Sequence, residues 1–209
     1  MQPIFITGTG TGVGKTLAAA IVTEALNADY WKPVQAGYDD GTDSITVQQL
    51  LSNKKSVIHP ELYRLALPAS PHISAGLEGK NIKIKTIIKY LPATKNQLII
   101  EGAGGLMVPL NEKQFVCDLI KKMKATVIIV SKNELGSINH SLLTAAALKQ
   151  KKIKVAGWIF NEQFMDYEMQ IAAWSDYPLI ASIPHQENIN KETVKALADE
   201  MRPALQKFL

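Results

Sequence analysis

Gly8-Thr9-Gly10-Thr11-Gly12-Val13-Gly14-Lys15-Thr16 follows the apolar run Ile4-Phe5-Ile6 and precedes Leu17-Ala18-Ala19-Ala20-Ile21-Val22, a helical start. Its ending, Gly14-Lys15-Thr16, is that of the phosphate-binding loop G-x-x-x-x-G-K-[ST]. Five residues separate Gly8 from Gly14 where the common loop has four, and Thr9 takes the place of the strict pattern's first glycine. The strand–loop–helix setting that the pattern requires is intact. In such a loop, small residues let backbone N–H groups close round phosphates at a helix N-terminus. The lysine then reaches the terminal phosphates, and the hydroxyl after it ligates Mg²⁺. The stretch therefore predicts a nucleoside triphosphate site, with a flexible Gly/Thr turn as the plainer alternative.

A chain of 209 residues suits a single α/β domain over 1–209 with one sizeable core. Hydrophobic content of 46% and charge of 20% are those of an ordinary globule, and a net charge of +4, spread along the chain apart from short runs such as Lys149 to Lys154, does not suggest nucleic acid. The single Cys117 rules out an internal disulfide and fits a reducing compartment. No apolar run is long enough to cross a bilayer, and the chain opens directly into its first strand with no room for a signal peptide. These features predict a cytoplasmic protein that uses no membrane.

Short apolar runs alternate with helical patterns throughout. Strands are expected at Ile4–Ile6, Tyr30–Val34, Gln97–Ile100, Thr126–Val130, Val155–Phe160 and Leu179–Ile183, with helices near 15–27, 43–52, 83–91, 115–123, 137–150, 166–175 and 191–207. This alternation predicts a mostly parallel sheet covered by helices on both faces. The segment 53–82 reads as an irregular excursion. Ligands of open α/β sheets bind outside the carboxyl ends of the strands. The loop at 8–16, Lys32 late in the second strand, Glu101 directly after Leu98-Ile99-Ile100, Asn161 after Phe160 and Pro184 after Ile183 should therefore meet at one edge.

Glu101 opens Glu101-Gly102-Ala103-Gly104-Gly105, an acid at the tip of a buried strand followed by residues that allow close backbone approach. It reads as a metal acid, or else as a helix-capping or turn acid. Lys32, in Trp31-Lys32-Pro33-Val34, is costly to bury unpaired, so it predicts an anionic partner unless it snorkels to the surface. Asp43, in Gly41-Thr42-Asp43-Ser44, is either a second carboxylate for the metal or a helix N-cap, with Asp39 and Asp40 as rivals. Gly136-Ser137-Ile138-Asn139 starts a helix whose N-terminus suits a carboxylate, or is simply capped by Ser137. Asn161 reads as a base-reading side chain or a turn residue. The four histidines show no metal-ligand spacing.

Together these blocks resemble the dethiobiotin synthetase family over nearly the whole chain. The resemblance rests on the longer loop at Gly8–Thr16, Lys32-Pro33-Val34, Ser70-Pro71-His72, Glu101–Gly105, Leu135-Gly136 with Ile138-Asn139-His140, and Ala156-Gly157-Trp158 leading to Asn161. It implies a phosphate-loop NTPase-like fold and a reaction in which 7,8-diaminononanoate, CO₂ and ATP give dethiobiotin, ADP and phosphate through a carbamate and a carbamic-phosphoric anhydride. It also implies catalytic Lys15 and Lys32, with Mg²⁺ among Thr16, Asp43 and Glu101. Nucleotide contacts would come from Gly12, Val13, Gly14, Lys15, Thr16, Leu17, Gly102, Ala103 and Gly104, and the base site from Asn161, Pro184, His185 and Gln186. Substrate contacts would come from Thr11, Ala36, Gly136, Ser137, Ile138 and Asn139, in a homodimer whose interface borders them.

Four positions depart from the family's habit. Gly10 and Gly12 replace acids, Ala36 replaces a hydroxyl residue, and Glu134 replaces a basic one. The rival reading is a Min/Par-type regulatory ATPase, but that group carries an extra lysine early in the loop, and positions 9–13 hold none. An amide-forming relative acting on a corrinoid acid would need a glutamine-hydrolysing domain, for which the chain has no room.

Overall fold

The computed structural model describes residues 1–39, 41–162 and 165–209. Seven parallel strands form one sheet in the order β4-β2-β6-β1-β7-β8-β9, where β1 is Ile4–Gly8, β2 Asp29–Trp31, β4 Ile58–His59, β6 Leu98–Gly105, β7 Thr126–Lys132, β8 Val155–Asn161 and β9 Leu179–Ile183. Eight helices accompany them among the described residues: α1 Lys15–Leu26, α2 Asp43–Leu50, α3 Pro71–Leu77, α4 Ile84–Lys89, α5 Val116–Met123, α6 Ser137–Lys151, α7 Glu168–Ser175 and α8 Lys191–Phe208. The mostly parallel, helix-flanked α/β domain expected from the alternation is present.

Strand periodicity builds the two core layers. Successive side chains point to opposite faces of a sheet. Phe5, Ile100, Val127, Ile129, Trp158 and Phe160 accordingly enter the layer under α4 to α7. Ile4, Ile6, Tyr30, Ile99, Ile128, Val130 and Ile159 enter the layer under α1, α2 and α8. Helix α1 is apolar on nearly every side because the sheet, α2 and α8 enclose it.

Two expectations are corrected. The strand expected over 30–34 breaks at Lys32-Pro33, because proline has no N–H to continue the ladder. Its second half, β3 (Val34–Ala36), leaves the main sheet and pairs in parallel with β5 (Tyr63–Leu65), while the Pro33 carbonyl accepts from Leu62 and Tyr63. The excursion over 53–82 is ordered, containing β4, β5 and α3, with Pro71 at the first helical turn. Cys117 is buried in α5, and burial pushes its thiol up.

Glu24 fixes the helix that carries the phosphate loop. Its carboxylate accepts from Ser52 N (3.0 Å), Ser52 Oγ (2.6 Å), Asn53 N (3.2 Å) and Asn53 Nδ2 (2.8 Å), which ties α1 to the segment just after α2. Burial alone would raise its pKa, but these donors outweigh burial and hold it below the ordinary glutamate value. A depressed carboxylate adds stability above its unfolded pKa and loses it as pH falls through its folded one. Glu24→Ala should therefore cost about 2 kcal/mol at pH 7. Denaturant unfolding should show that difference shrinking below about pH 4; a pH-independent difference would deny the carboxylate its role.

Candidate active site

At the carboxyl edge of the sheet lies a cavity of about 640 Å³, lined by Thr11, Gly12, Gly14, Lys15, Thr16, Lys32, Ala36, Asp43, Glu101, Ala103 and Gly104. Gln35, Pro68–Pro71 and Val108 complete its wall. It sits where the chain returns through β6 and then crosses β1 to continue on the far side with β7, the kind of switch point at which such sheets bind ligands.

The centre is a charge cluster on the α1 face. Glu101 is 1% exposed. Its Oε1 accepts from Lys32 Nζ (2.8 Å) and Thr16 Oγ1 (3.0 Å), and its Oε2 accepts from Tyr30 OH (2.7 Å). Lys32 also pairs with Asp43. Burial would strip the Lys32 proton, but Glu101 and Asp43 outweigh it and hold the ammonium above the ordinary lysine value. Lys15 turns back to donate to Gly10 O (2.7 Å), and burial together with the Lys32 charge lowers its pKa to about 8. Burial and then the Glu101 charge push the Tyr30 phenol well up, so it remains an O–H donor.

The open alternatives close on these contacts. Lys32 does not snorkel; its anionic partners are the chain's own carboxylates. Asp43 is not the N-cap of α2, since Thr42 Oγ1 accepts from Ile45 N (3.4 Å) in that role. Asp39 is exposed outside any helix, and Asp40 lies outside the described residues. Glu101 does not follow its strand as expected: β6 runs on through Gly105, so the acid is a mid-strand residue and neither a cap nor a turn. Ser137 does not cap α6; Gly136 is the cap residue, at φ 95°, while Ser137 Oγ bonds the Tyr167 hydroxyl at 2.6 Å. Asn161 ends β8 inside the ladder and is no turn residue. Its side chain packs beneath Gly14, where any Cβ would strike it, and Gly14 also needs φ 92° to start α1.

Other expected residues stand apart from the cavity. Val13 is buried against Gly8, Gly102 packs on Phe5, and Leu17 packs on the α1-side core layer. Pro184, His185 and Gln186 leave the sheet beside Asn161, since Asn161 pairs with Ile183. The run Gly136–Asn139 does not line this cavity. Thr11 and Val108, however, also line a second, apolar groove of about 320 Å³ whose wall includes Leu106, Met107, Leu143 and Ala147.

Two residues with clear roles in the cluster drew no attention in the sequence. Tyr30 shares a sheet face with Lys32 by period-two spacing and with Glu101 through the Tyr30–Ile99 register. Gln35 accepts from Asp43 N (3.3 Å) and donates to Gly37 O (2.8 Å), which anchors the start of α2.

The donors fit the nucleotide and metal that the loop implies. Thr16, Asp43 and Glu101 offer only hard oxygen atoms, and two carboxylates with one hydroxyl suit Mg²⁺, which keeps waters and phosphate ligands where Ca²⁺ collects a full protein cage. Phosphates would meet the backbone of a helix N-terminus and two ammonium groups.

An AAA domain family model matches residues 2–193. The chain is 48% identical to an ATP-dependent dethiobiotin synthetase of Cytophaga hutchinsonii over 200 residues, covering 95% of this chain and 96% of that one. A protein of the same name from Christiangramia forsetii is 45% identical over 202 residues, covering 96% of each. Among solved structures, the septum site-determining protein MinD of Pyrococcus horikoshii, complexed with Mg-ADP, superposes with a TM-score of 0.59 at 18% identity over 100% of this chain and 93% of that one, a likeness of fold. Among the described residues, no helix is long and apolar enough to cross a membrane.

Lys32→Ala leaves the Asp43 and Glu101 carboxylates facing each other without their cation. It should cost about 3–5 kcal/mol of unfolding free energy at neutral pH. Adding Asp43→Asn should then recover part of the loss, since the two sites share one interaction. Denaturant melts of both single variants and the double variant, with strictly additive costs, would remove Lys32 from that interaction.

Proposed function

This chain belongs to the ATP-dependent dethiobiotin synthetase family, and from that membership we propose how its own residues share the work. The protein is a ligase that forms dethiobiotin in an ATP-dependent reaction, which Mg²⁺ would assist. In our reading one amine of 7,8-diaminononanoate adds CO₂ to give a carbamate, whose oxygen takes the γ-phosphoryl group of ATP. The second amine attacks the carbamoyl carbon, closes the cyclic urea and releases phosphate. Such chemistry asks little acid–base work of side chains and much stabilisation of charge around the transferred group.

The observation that carries this reading is one cavity holding Lys15, Lys32, Asp43, Glu101 and Thr16, which shares the lining residues Thr11 and Val108 with a neighbouring apolar groove. The ammonium groups of Lys15 and Lys32 would face the phosphoryl oxygens as the catalytic residues. Thr16, Asp43 and Glu101 would hold Mg²⁺, which when bound supplies further positive charge to the phosphates. The loop Gly12–Leu17 and Gly102–Gly104 would cradle the nucleotide, with Asn161, Pro184, His185 and Gln186 around the base. The groove suits the substrate's hydrocarbon chain, with Thr11 and Ala36 near the amines and Gly136–Asn139 receiving its carboxylate. Met107, Leu135 and Leu143 are all at least half exposed near that path, which favours a homodimer across this face. The whole chain, 1–209, would act as one domain in the cytoplasm.

Phosphate release from ATP should rise many-fold when the diamine and bicarbonate are both present, with dethiobiotin formed in equal amount. Hydrolysis indifferent to the diamine would instead support a Min/Par-type switch.

A diamine lacking the carboxylate should bind far more weakly, with nucleotide affinity little changed, because the α6 N-terminus favours an anion. Glu134 opposes that anion, although Lys132 Nζ, at 4.0 Å from Glu134 and 3.4 Å from Glu162, offsets part of its charge. Glu134→Lys should tighten substrate binding by about two- to fivefold at low salt and less at high salt. Calorimetry at two ionic strengths reads both effects, and equal affinity for the two diamines would move the carboxylate elsewhere.

A further inference from the structure

Tyr30 is wholly buried on the α1 face, and its hydroxyl donates a hydrogen bond to Oε2 of Glu101 at 2.7 Å. The other oxygen, Oε1, is the one turned toward Lys32 at 2.8 Å and toward Thr16 at 3.0 Å, the edge of the cavity where the phosphate loop ends and α1 begins. The two oxygens of one carboxylate thus have different company. One faces the charged cluster, and the other is occupied by a neutral donor deep in the core layer. Turning Glu101 so that both oxygens met one cation would break the Tyr30 bond and strand a buried hydroxyl without an acceptor.

We propose that Tyr30 is a positioning residue that sets the metal preference of the site, by holding Oε2 in the core layer so that Glu101 turns only Oε1 toward the cavity. This rests on the reading of Glu101 as a metal acid. Mg²⁺ accepts one oxygen per carboxylate within a small octahedral shell that keeps its waters. Ca²⁺ takes six to eight ligands and gains readily from bidentate carboxylates. A glutamate held at one oxygen serves the smaller ion and denies the larger one an inexpensive ligand. No other residue in the cluster supplies this asymmetry, since Lys32 and Thr16 both bond Oε1.

The test uses Mn²⁺ as a paramagnetic probe of the enzyme–ADP complex and displaces it with Mg²⁺ or with Ca²⁺. Tyr30→Phe, which keeps the ring and loses the donor, should shift the ratio of displacing concentrations by about tenfold in favour of Ca²⁺. Tyr30→Met, a second donor-free variant of adaptable shape, should shift it in the same direction. A role confined to stability would weaken both ions alike and leave the ratio unchanged, and that result would overturn the proposal. Glu101→Gln serves as the companion arm. If it leaves Mn²⁺ affinity at the wild-type value, the metal reading fails and the proposal with it. If it weakens Mn²⁺ while Tyr30→Phe keeps the wild-type ratio, only the role of Tyr30 is lost.

Discussion

Everything around the cavity is arranged on the carboxylate of Glu101. A charge this deeply buried persists only with full hydrogen bonding and a paired cation. Its three donors arrive from separate places: Tyr30 from β2, Lys32 from the break after β2, and Thr16 from the first turn of α1. Satisfying this one acid therefore fixes the phosphate loop, the central strand and the lysine in register. Asp43 joins from α2 through Lys32, and its helix is held in turn by Gln35 and by the Glu24 clasp.

The two lysines sit in opposite electrostatic situations within the same cavity. Lys32 is held charged by its carboxylates, whereas Lys15 is lowered to about 8 by burial and by Lys32 itself. A shift of that size means about 3 kcal/mol of unfavourable interaction for the Lys15 ammonium. Anionic groups brought near the loop would relieve it. The Lys15 ammonium is held by its hydrogen bond to Gly10 O.

The sequence made one half of this site legible. A phosphate loop, a strand-borne acid and a strand-borne lysine follow from local patterns, and the parallel sheet that brings them to one edge follows from alternation. What stayed hidden depended on tertiary pairing. Tyr30 read as an ordinary strand aromatic until the β2–β6 register set it two positions from Glu101 on the same face. Glu101 read as a strand end because the glycines after it look like a turn, yet they continue the β6 ladder. Thr42 and Asp43 are adjacent and both suited to capping, and which of them caps the helix was settled by Lys32 claiming Asp43.

The excursion over 53–82 was illegible for a different reason. Its elements are too short for periodicity to register: two residues in β4, three in β5 and seven in α3. β4 is held by its pairing with β2, and β5 by contacts with the 33–37 segment, such as Tyr63 N to Pro33 O and Gly37 N to Leu65 O, while Gly37 has no space for a side chain against Pro68. The same excursion sends Pro68–Pro71 over the cavity opposite the phosphate loop. The wall that faces the phosphate loop thus comes from short elements with little pattern of their own.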